Sequence, residues 1–212
     1  FDTVVIGGGI LGTSMAYYLS QMGAKVCLLE KGSIASGTSG SCDGQILIAD
    51  RHPGPELELG KLALKEWNQL SHELDVDIEY EAKGSTLIAE QEEDIKVLRE
   101  LVDSLVSEDI KAQLILGSEA RDLEPNLAKD VPGLAFFPDH AQVQPQLACW
   151  AMANSATAKG ADIRTNSPVV GIEKDSKSDK FTVLSNGDRI LTASVINAAG
   201  AWSPAVGAMV GI

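Results

Sequence analysis

The chain opens on a short unbroken apolar run, rich in β-branched residues, from Thr3 to Ile6, and glycines follow it directly. Such a run suits a strand buried on both faces of a parallel sheet, which predicts a first strand over residues 2–6. Beyond the glycines, Met15, Leu19 and Met22 recur at helical spacing until Gly23 stops the helix, and residues 25–29 form a second apolar run that ends at Glu30. Strand, helix and strand thus fit within the first thirty residues. Residues 33–44 carry no apolar period and read as a Gly/Ser/Thr loop, where a simple nicotinamide-binding domain would place its third strand.

The middle of the chain changes character. Residues 56–74 read as a helix with Leu59, Leu62, Ala63, Trp67 and Leu70 on one stripe. Short strands are expected at 78–80 and 85–89, an amphipathic helix at 92–107 and another strand at 113–116, while Ser118 reads as the cap of a short helix broken by Pro125. Pro145 opens a further helix, 145–159, which Gly160 closes. Successive strands follow at 162–164, 169–173, 181–184 and 190–191, with Asn186-Gly187 as a hairpin signal between the last two. A final buried strand, 194–197, runs into Ala198-Ala199-Gly200-Ala201 and Trp202, and the chain contains no internal repeat.

Composition narrows the function classes. At 212 residues and 44% apolar, the chain can bury a real core as one domain or one domain carrying a subdomain. Its formal charge of -13 leaves no basic face for nucleic acid. The apolar stretch 4–11 is too short and glycine-rich to span a bilayer, so a soluble or membrane-peripheral protein is expected, not an integral one. Cys27, Cys42 and Cys149 are odd in number and lack ligand or CxxC spacing, which suits a reducing compartment, by default the cytoplasm, and no metal site is expected.

Gly7-Gly8-Gly9-Ile10-Leu11-Gly12 fits G-x-G-x-x-G at a strand-to-helix turn. Gly7 permits the turn, Gly9 lets backbone approach a pyrophosphate, Gly12 lets helix and strand pack closely, and Gly8 is the variable position. The helix N-terminus then offers free N–H groups and a positive dipole end to phosphate. Glu30, at the end of the second strand, is placed to accept both hydroxyls of a ribose, which points to the ADP half of FAD and against a phosphorylated ribose. Thr38, Ser39, Ser41, Gly44 and Gln45 lie in the following loop, which either wraps the pyrophosphate and ribityl chain or is simply solvated. His52, His72 and His140 have no partners at ligand spacing and read as surface or packed residues. Asp43 reads as solvated, Trp67 and Trp202 as core, and Cys42 as a small buried thiol.

Taken in order, these segments resemble the flavoprotein superfamily of D-amino-acid oxidase, glycine oxidase and sarcosine oxidase. The likeness is carried by residues 4–12, Leu28-Leu29-Glu30-Lys31, Ser36-Gly37-Thr38-Ser39 with Asp43-Gly44, Leu123-Glu124-Pro125, and Asn197-Ala198-Ala199-Gly200-Ala201-Trp202-Ser203. It implies an α/β fold with a Rossmann-like FAD-binding domain of the glutathione-reductase type, residues 1–79 and 140–212, into which an incomplete α+β substrate domain, 80–139, is inserted. It also implies cofactor contacts at Ile10, Leu11 and Lys31, at Val169 on the adenine side, and at Ala198, Ala199, Gly200 and Trp202 where the backbone returns to the flavin. The expected reaction is oxidation of the C–N bond of an amino acid or secondary amine by hydride transfer to FAD. Oxidation of a hydroxy acid or glycerol phosphate, or a non-catalytic flavin-binding subunit, are the alternatives.

Asp43-Gly44 followed by Pro53-Gly54-Pro55 looks closest to the flavin subunits of opine oxidase and hydrogen cyanide synthase, which implies a partner electron-transfer subunit. In the family, Arg and Tyr from later strands hold the substrate carboxylate. The sequence is therefore expected to be a fragment, inactive alone, and no catalytic residue is assigned within it. Where the family often has Asp before the helix at Pro145, this chain has Gln144.

Overall fold

A computed structural model describes residues 1–175 and 178–212. In chain order the elements are β1 (Thr3–Ile6), α1 (Ile10–Gln21), β2 (Val26–Leu29), α2 (Thr38–Ser41), β3 (Gln45–Ile46), α3 (Pro55–Glu73), β4 (Ser85–Ala89), α4 (Asp94–Ser107), β5 (Gln113–Leu116) and α5 (Ser118–Leu123). They continue with β6 (Gly133–Phe137), β7 (Ala141–Gln142), α6 (Pro145–Ala158), β8 (Asp162–Arg164), β9 (Val169–Lys174), β10 (Phe181–Ser185), β11 (Asp188–Thr192) and β12 (Ser194–Asn197). A 3-10 turn at Gly200–Trp202 then leads into α7 (Ser203–Ala208). The chain divides into two compact units, Phe1–Gly44 with His72–Ile78 and Gln144–Ile212, and Gln45–Ser71 with Glu79–Val143. Residues 45–71, which the resemblance implied belong with the N-terminal segment, fall in the second unit.

The first unit is built on a parallel sheet of order β12-β1-β2-β8. Alternate residues of its central strands serve opposite layers, which is why those strands are apolar throughout. Val4, Ile6, Cys27 and Leu29 pack with Ile172, Val183 and Ile190 of the antiparallel sheet β11-β10-β9. Val5, Val26 and Leu28 pack with Ala16 of α1 and Ala156 of α6. In the β10-β11 hairpin, Asn186 and Gly187 both have positive φ, 51° and 85°, as the two central residues of a type I′ turn require.

Helix α1 turns a different face inward from the one its large residues mark. Gly12, Thr13, Ala16, Tyr17 and Ser20 are buried, whereas Met15 and Met22 are exposed. The facing helix α6 buries Ala148, Cys149, Ala151, Met152, Ala153 and Ala156. Small side chains on both helices permit close approach, and this packing overrides the larger stripe. Gln144, the departure from the family pattern, caps α6: its side-chain carbonyl accepts from Gln146 N–H at 2.8 Å.

The second unit holds the antiparallel sheet β4-β6-β5 and the short pair β3-β7. Leu98, Val102 and Leu105 of α4, Leu57 of α3, and Ala135 and Phe137 of β6 form its core with Ile48. Strand β6, the centre of that sheet, was not anticipated. On α3 the buried positions are Leu57 and Leu70, while Leu59 and Leu62 are 67% and 58% exposed, because Gly60 brings the helix against Ile48 on the other side. Residues 78–80 form no strand, since Glu79 takes a left-handed φ of 55°. Ser118 is the first residue of α5 and not its cap, a place held by Gly117. The loop 33–44 contains one helical turn, α2.

Candidate cofactor site

Because β1 lies between β12 and β2, the C-terminal ends of three strands come side by side. Each runs on into a segment singled out from sequence: β1 into Gly7–Gly9, β2 into Glu30–Gly32, β12 into Ala198–Trp202. The crevice outside such strand ends is where open α/β sheets hold ligands.

Two glycines of the turn are sterically required. Gly7 has φ +114°, and a Cβ there would stand 2.3 Å from the Ala198 carbonyl oxygen. A Cβ on Gly12 would stand 1.8 Å from the Gly7 carbonyl oxygen, so helix and strand touch through bare backbone. Gly8 is not a free position in this chain: its Cβ would meet Ile34 Cδ1 at 2.8 Å and Glu30 Cβ and Cγ at 2.9 Å. Gly9 is the open one, with only the Ser39 hydroxyl within 3 Å of a Cβ placed there.

That hydroxyl accepts from Ile10 N–H at 2.9 Å, at the first residue of α1. The first turn of α1 contains no acidic residue, so its N–H groups and positive dipole end face the turn without an internal counter-charge. Leu11, in that turn, is exposed. The loop carrying Ser39 is anchored by hydrogen bonds although most of its residues are exposed. Ala35 N–H donates to the Gly8 carbonyl (2.9 Å), Trp150 Nε1–H to the Ile34 carbonyl (3.2 Å), and Gln146 Nε2–H to the Gly40 carbonyl (3.1 Å). Thr38 opens α2, Ser41 turns its hydroxyl onto the Gly37 carbonyl (3.3 Å), and Gly44 has φ 73°. Gln45 belongs to the second unit, where it pairs with Gln142. Cys42 is exposed and not a buried thiol.

Glu30 is 9% exposed, and its two carboxylate oxygens accept from Gly8 N–H and Gly32 N–H, each at 2.7 Å. A carboxylate has about four acceptor positions, so about half remain for a diol. Its backbone is fixed as well: Glu30 N–H donates to the Arg164 carbonyl and Ser167 N–H to the Glu30 carbonyl, at 2.9 and 2.8 Å. The turn 165–167, which leads to Val169 at the start of β9, therefore runs alongside Glu30–Gly32.

On the opposite side, Lys31 Nζ lies 3.0 Å from the centre of the Trp202 ring, a cation–π contact. Trp202 is 53% exposed, so it is not a core residue. Ala198 N–H donates to the Ile6 carbonyl, and Ala199 N–H to Asn197 Oδ1. Gly200 takes φ 55° with open space around it. Sequence reasoning passed over Gly32 and Asn197. A glycine two residues beyond the strand-end acid, and an amide-bearing residue ending β12, were the available signals.

These residues set the first turn of α1 at a glycine turn and a half-occupied carboxylate one strand away, the donors and acceptors that a pyrophosphate and a ribose diol call for. Residues 2–212 match the family described as FAD dependent oxidoreductase, DAO. The chain belongs to this FAD-dependent oxidoreductase family. Over its whole length it is 31% identical to glycine oxidase of Bacillus licheniformis, covering 57% of that protein, and 28% identical to human mitochondrial sarcosine dehydrogenase, covering 24%. Its fold matches the crystal structure of glycine oxidase from Geobacillus kaustophilus with a TM-score of 0.92 at 25% identity, over 100% of this chain and 58% of that one. The chain thus spans little more than half of these glycine oxidases. FAD is the cofactor of the family, and when bound it accepts a hydride, two electrons and one proton, from the substrate. No helix among the described residues is long and apolar enough to cross a membrane.

Proposed function

We propose that the protein oxidises the C–N bond of a small amino acid or secondary amine, passing the hydride of the adjacent carbon to FAD and releasing an imine that water hydrolyses. The first unit holds FAD, and the second is the first part of the substrate domain. Glu30 takes the ribose diol with its remaining acceptor positions, Gly9, Ile10, Leu11 and Gly12 present the first turn of α1 to the pyrophosphate, and Val169 lies on the adenine side. Ser39, Thr38, Ser41, Gly44 and Lys31 line the path of the chain around the cofactor, and Ala198, Ala199, Gly200 and Trp202 form the returning turn. The observation that carries this reading is the buried Glu30 carboxylate, fixed by two backbone donors yet only half occupied, beside a helix N-terminus free of acidic side chains. The names of the relatives, glycine oxidase and sarcosine dehydrogenase, supply the substrate class. A cytoplasmic location and a partner electron-transfer subunit belong to the same reading.

Anaerobic reduction tests it, with the FAD-loaded protein at the full length of the glycine oxidases it matches, because this chain alone is expected to be inactive. Glycine, sarcosine, proline or a D-amino acid should bleach the flavin absorbance, and 2-hydroxyglutarate and glycerol 3-phosphate should not. Bleaching by a hydroxy substrate alone would move the protein to the alcohol-oxidising branch, and retention of FAD with no bleaching by any of them would make it a flavin-binding subunit.

A further inference from the structure

His140 is the most deeply buried titratable ring in the second unit, 2% exposed, and both its nitrogens are engaged. Ile48 N–H donates to Nε2 at 3.2 Å, so that nitrogen carries the lone pair. Nδ1 therefore carries the hydrogen and donates to Ser85 Oγ at 2.7 Å. The ring also stacks on Phe137, centre to centre 5.1 Å. One neutral imidazole thus joins three pieces of chain: the turn after β6, the start of β4, and the segment after β3.

The same residues wall an open cavity of about 710 Å³. Leu47, Ala49 and Asp50 line it together with Ser85, Phe136 and His140. Within the 47–50 segment the Ile48 amide is the group that His140 holds, and Leu47 and Ala49 are its chain neighbours. The Ile48 side chain is packed in the core of the second unit, so its amide bond to His140 sets the position of the backbone of that wall.

We propose that His140 is a positioning residue for this cavity: as the neutral ring it pins Ile48 and with it the 47–50 wall, and protonation releases that wall. The imidazolium has no lone pair to accept from Ile48 N–H, and two N–H groups would then face each other. Burial pushes the His140 pKa below its ordinary value, while Asp50 and Asp139 pull the other way. Those carboxylates are themselves engaged, Asp139 with Lys111 at 2.9 Å and Asp50 with Arg51 at 3.4 Å. The remaining charges on the cavity are Lys83, paired with Glu81 at 3.0 Å, and Glu124. The sign follows: the neutral clasp is intact at neutral pH and is lost as pH falls below the ordinary histidine range. That the cavity receives substrate rests on the proposed function; the clasp itself does not.

Hydrogen exchange read on the peptide covering residues 46–51 tests the clasp without any substrate. As pH falls from 7 through the depressed His140 range, after correction for intrinsic exchange, Ile48 protection in the FAD-loaded protein should fall by up to about tenfold, the factor set by one ordinary hydrogen bond near the top of its net range. A peptide over β5 should stay constant. His140→Gln keeps an acceptor for Ile48 and a donor for Ser85 but cannot titrate, so its protection should not change with pH. A wild-type protection independent of pH, or an equal loss in His140→Gln, would overturn the proposal. If amine substrates reduce the flavin, acidification should raise KM more than it lowers kcat in the wild type and leave KM flat in His140→Gln. An exchange response with no amine turnover would leave the clasp standing and refute only the substrate reading.

Discussion

Replacing Glu30 by alanine should unsettle the protein before any cofactor is added. The carboxylate accepts two backbone N–H bonds at 2.7 Å, from Gly8 and Gly32. Hydrogen bonds to a charged group contribute about 1.5 to 3 kcal/mol each. The Gly32 donor is only part-buried, so water replaces much of that bond, whereas the Gly8 bond is buried and its N–H would be orphaned. The net loss should therefore be about 2 to 3 kcal/mol, less than the sum of two bonds. For a chain of this size each kcal/mol moves the melting temperature by about 2 to 4 °C, which gives a fall of about 4 to 12 °C. Glu30→Gln should recover at most half of it, because one amide oxygen serves one N–H while the amide nitrogen meets the other as a second donor. Thermal unfolding of flavin-free protein, followed by circular dichroism, is the assay, and the loss should grow in saturating FAD. If flavin-free Glu30→Ala melted within a degree of the wild type, Glu30 would be a cofactor ligand alone, and its two backbone bonds would carry no stability.

The glycine turn and the packed helices give further expectations. Gly8→Ala should lower flavin-free stability by about 1 to 3 kcal/mol, since its Cβ overlaps Glu30 and Ile34, while Gly9→Ala should cost far less because only the Ser39 hydroxyl must turn; denaturant titration of both variants checks the order. Ala16→Leu should destabilise by a similar amount by forcing α1 and α6 apart, and Met15→Ala, on the exposed face, should stay within about 0.5 kcal/mol of wild type in the same titration. Of the three thiols, exposed Cys42 should react promptly with a disulfide reagent at pH 8. Cys27 and Cys149, pushed up to about 11 by burial, should react only on unfolding, so a native count near three would contradict their placement.

Much of the first unit was legible because fully buried parallel strands announce themselves. Val4, Val5, Val26 and Leu28 have no solvent side, so their apolar runs needed no period to be recognised. The helices were legible in extent but not in orientation. A stripe of large residues marks the core face only where large residues make the contact. In α1 the buried face is made by Gly12, Thr13, Ala16 and Ser20 with Tyr17 as its one large side chain, and in α3 Gly60 lies against Ile48, so Met15, Met22, Leu59 and Leu62 drew attention to the wrong face, while Leu70 is buried as expected. Strand β6 was missed for a related reason. Gly133 and Ala135 interrupt the side-chain volume of that run, yet Gly133 is small because a Cβ would stand 2.6 Å from the Ile115 carbonyl oxygen. Flanking Pro132 and Pro138 were the punctuation that would have isolated it.

At the site, residue types were readable and hydrogen-bond directions were not. Spacing placed an acid beside a ribose position, and a carboxylate at the end of β2 is what the structure has. Nothing in the spacing says that Gly8 and Gly32 hold it, because both donors are backbone groups whose aim depends on where β1 and the turn 165–167 lie. Ser39 follows the same logic. Read as a loop hydroxyl, it is one of several candidates to touch phosphate; seated on Ile10 N–H, it already fills the acceptor place of the first helical amide. A hydroxyl that accepts from that amide keeps a donor hydrogen of its own for another acceptor. Ile10 N–H thus has an acceptor supplied from twenty-nine positions away in sequence, a pairing that spacing alone does not reveal.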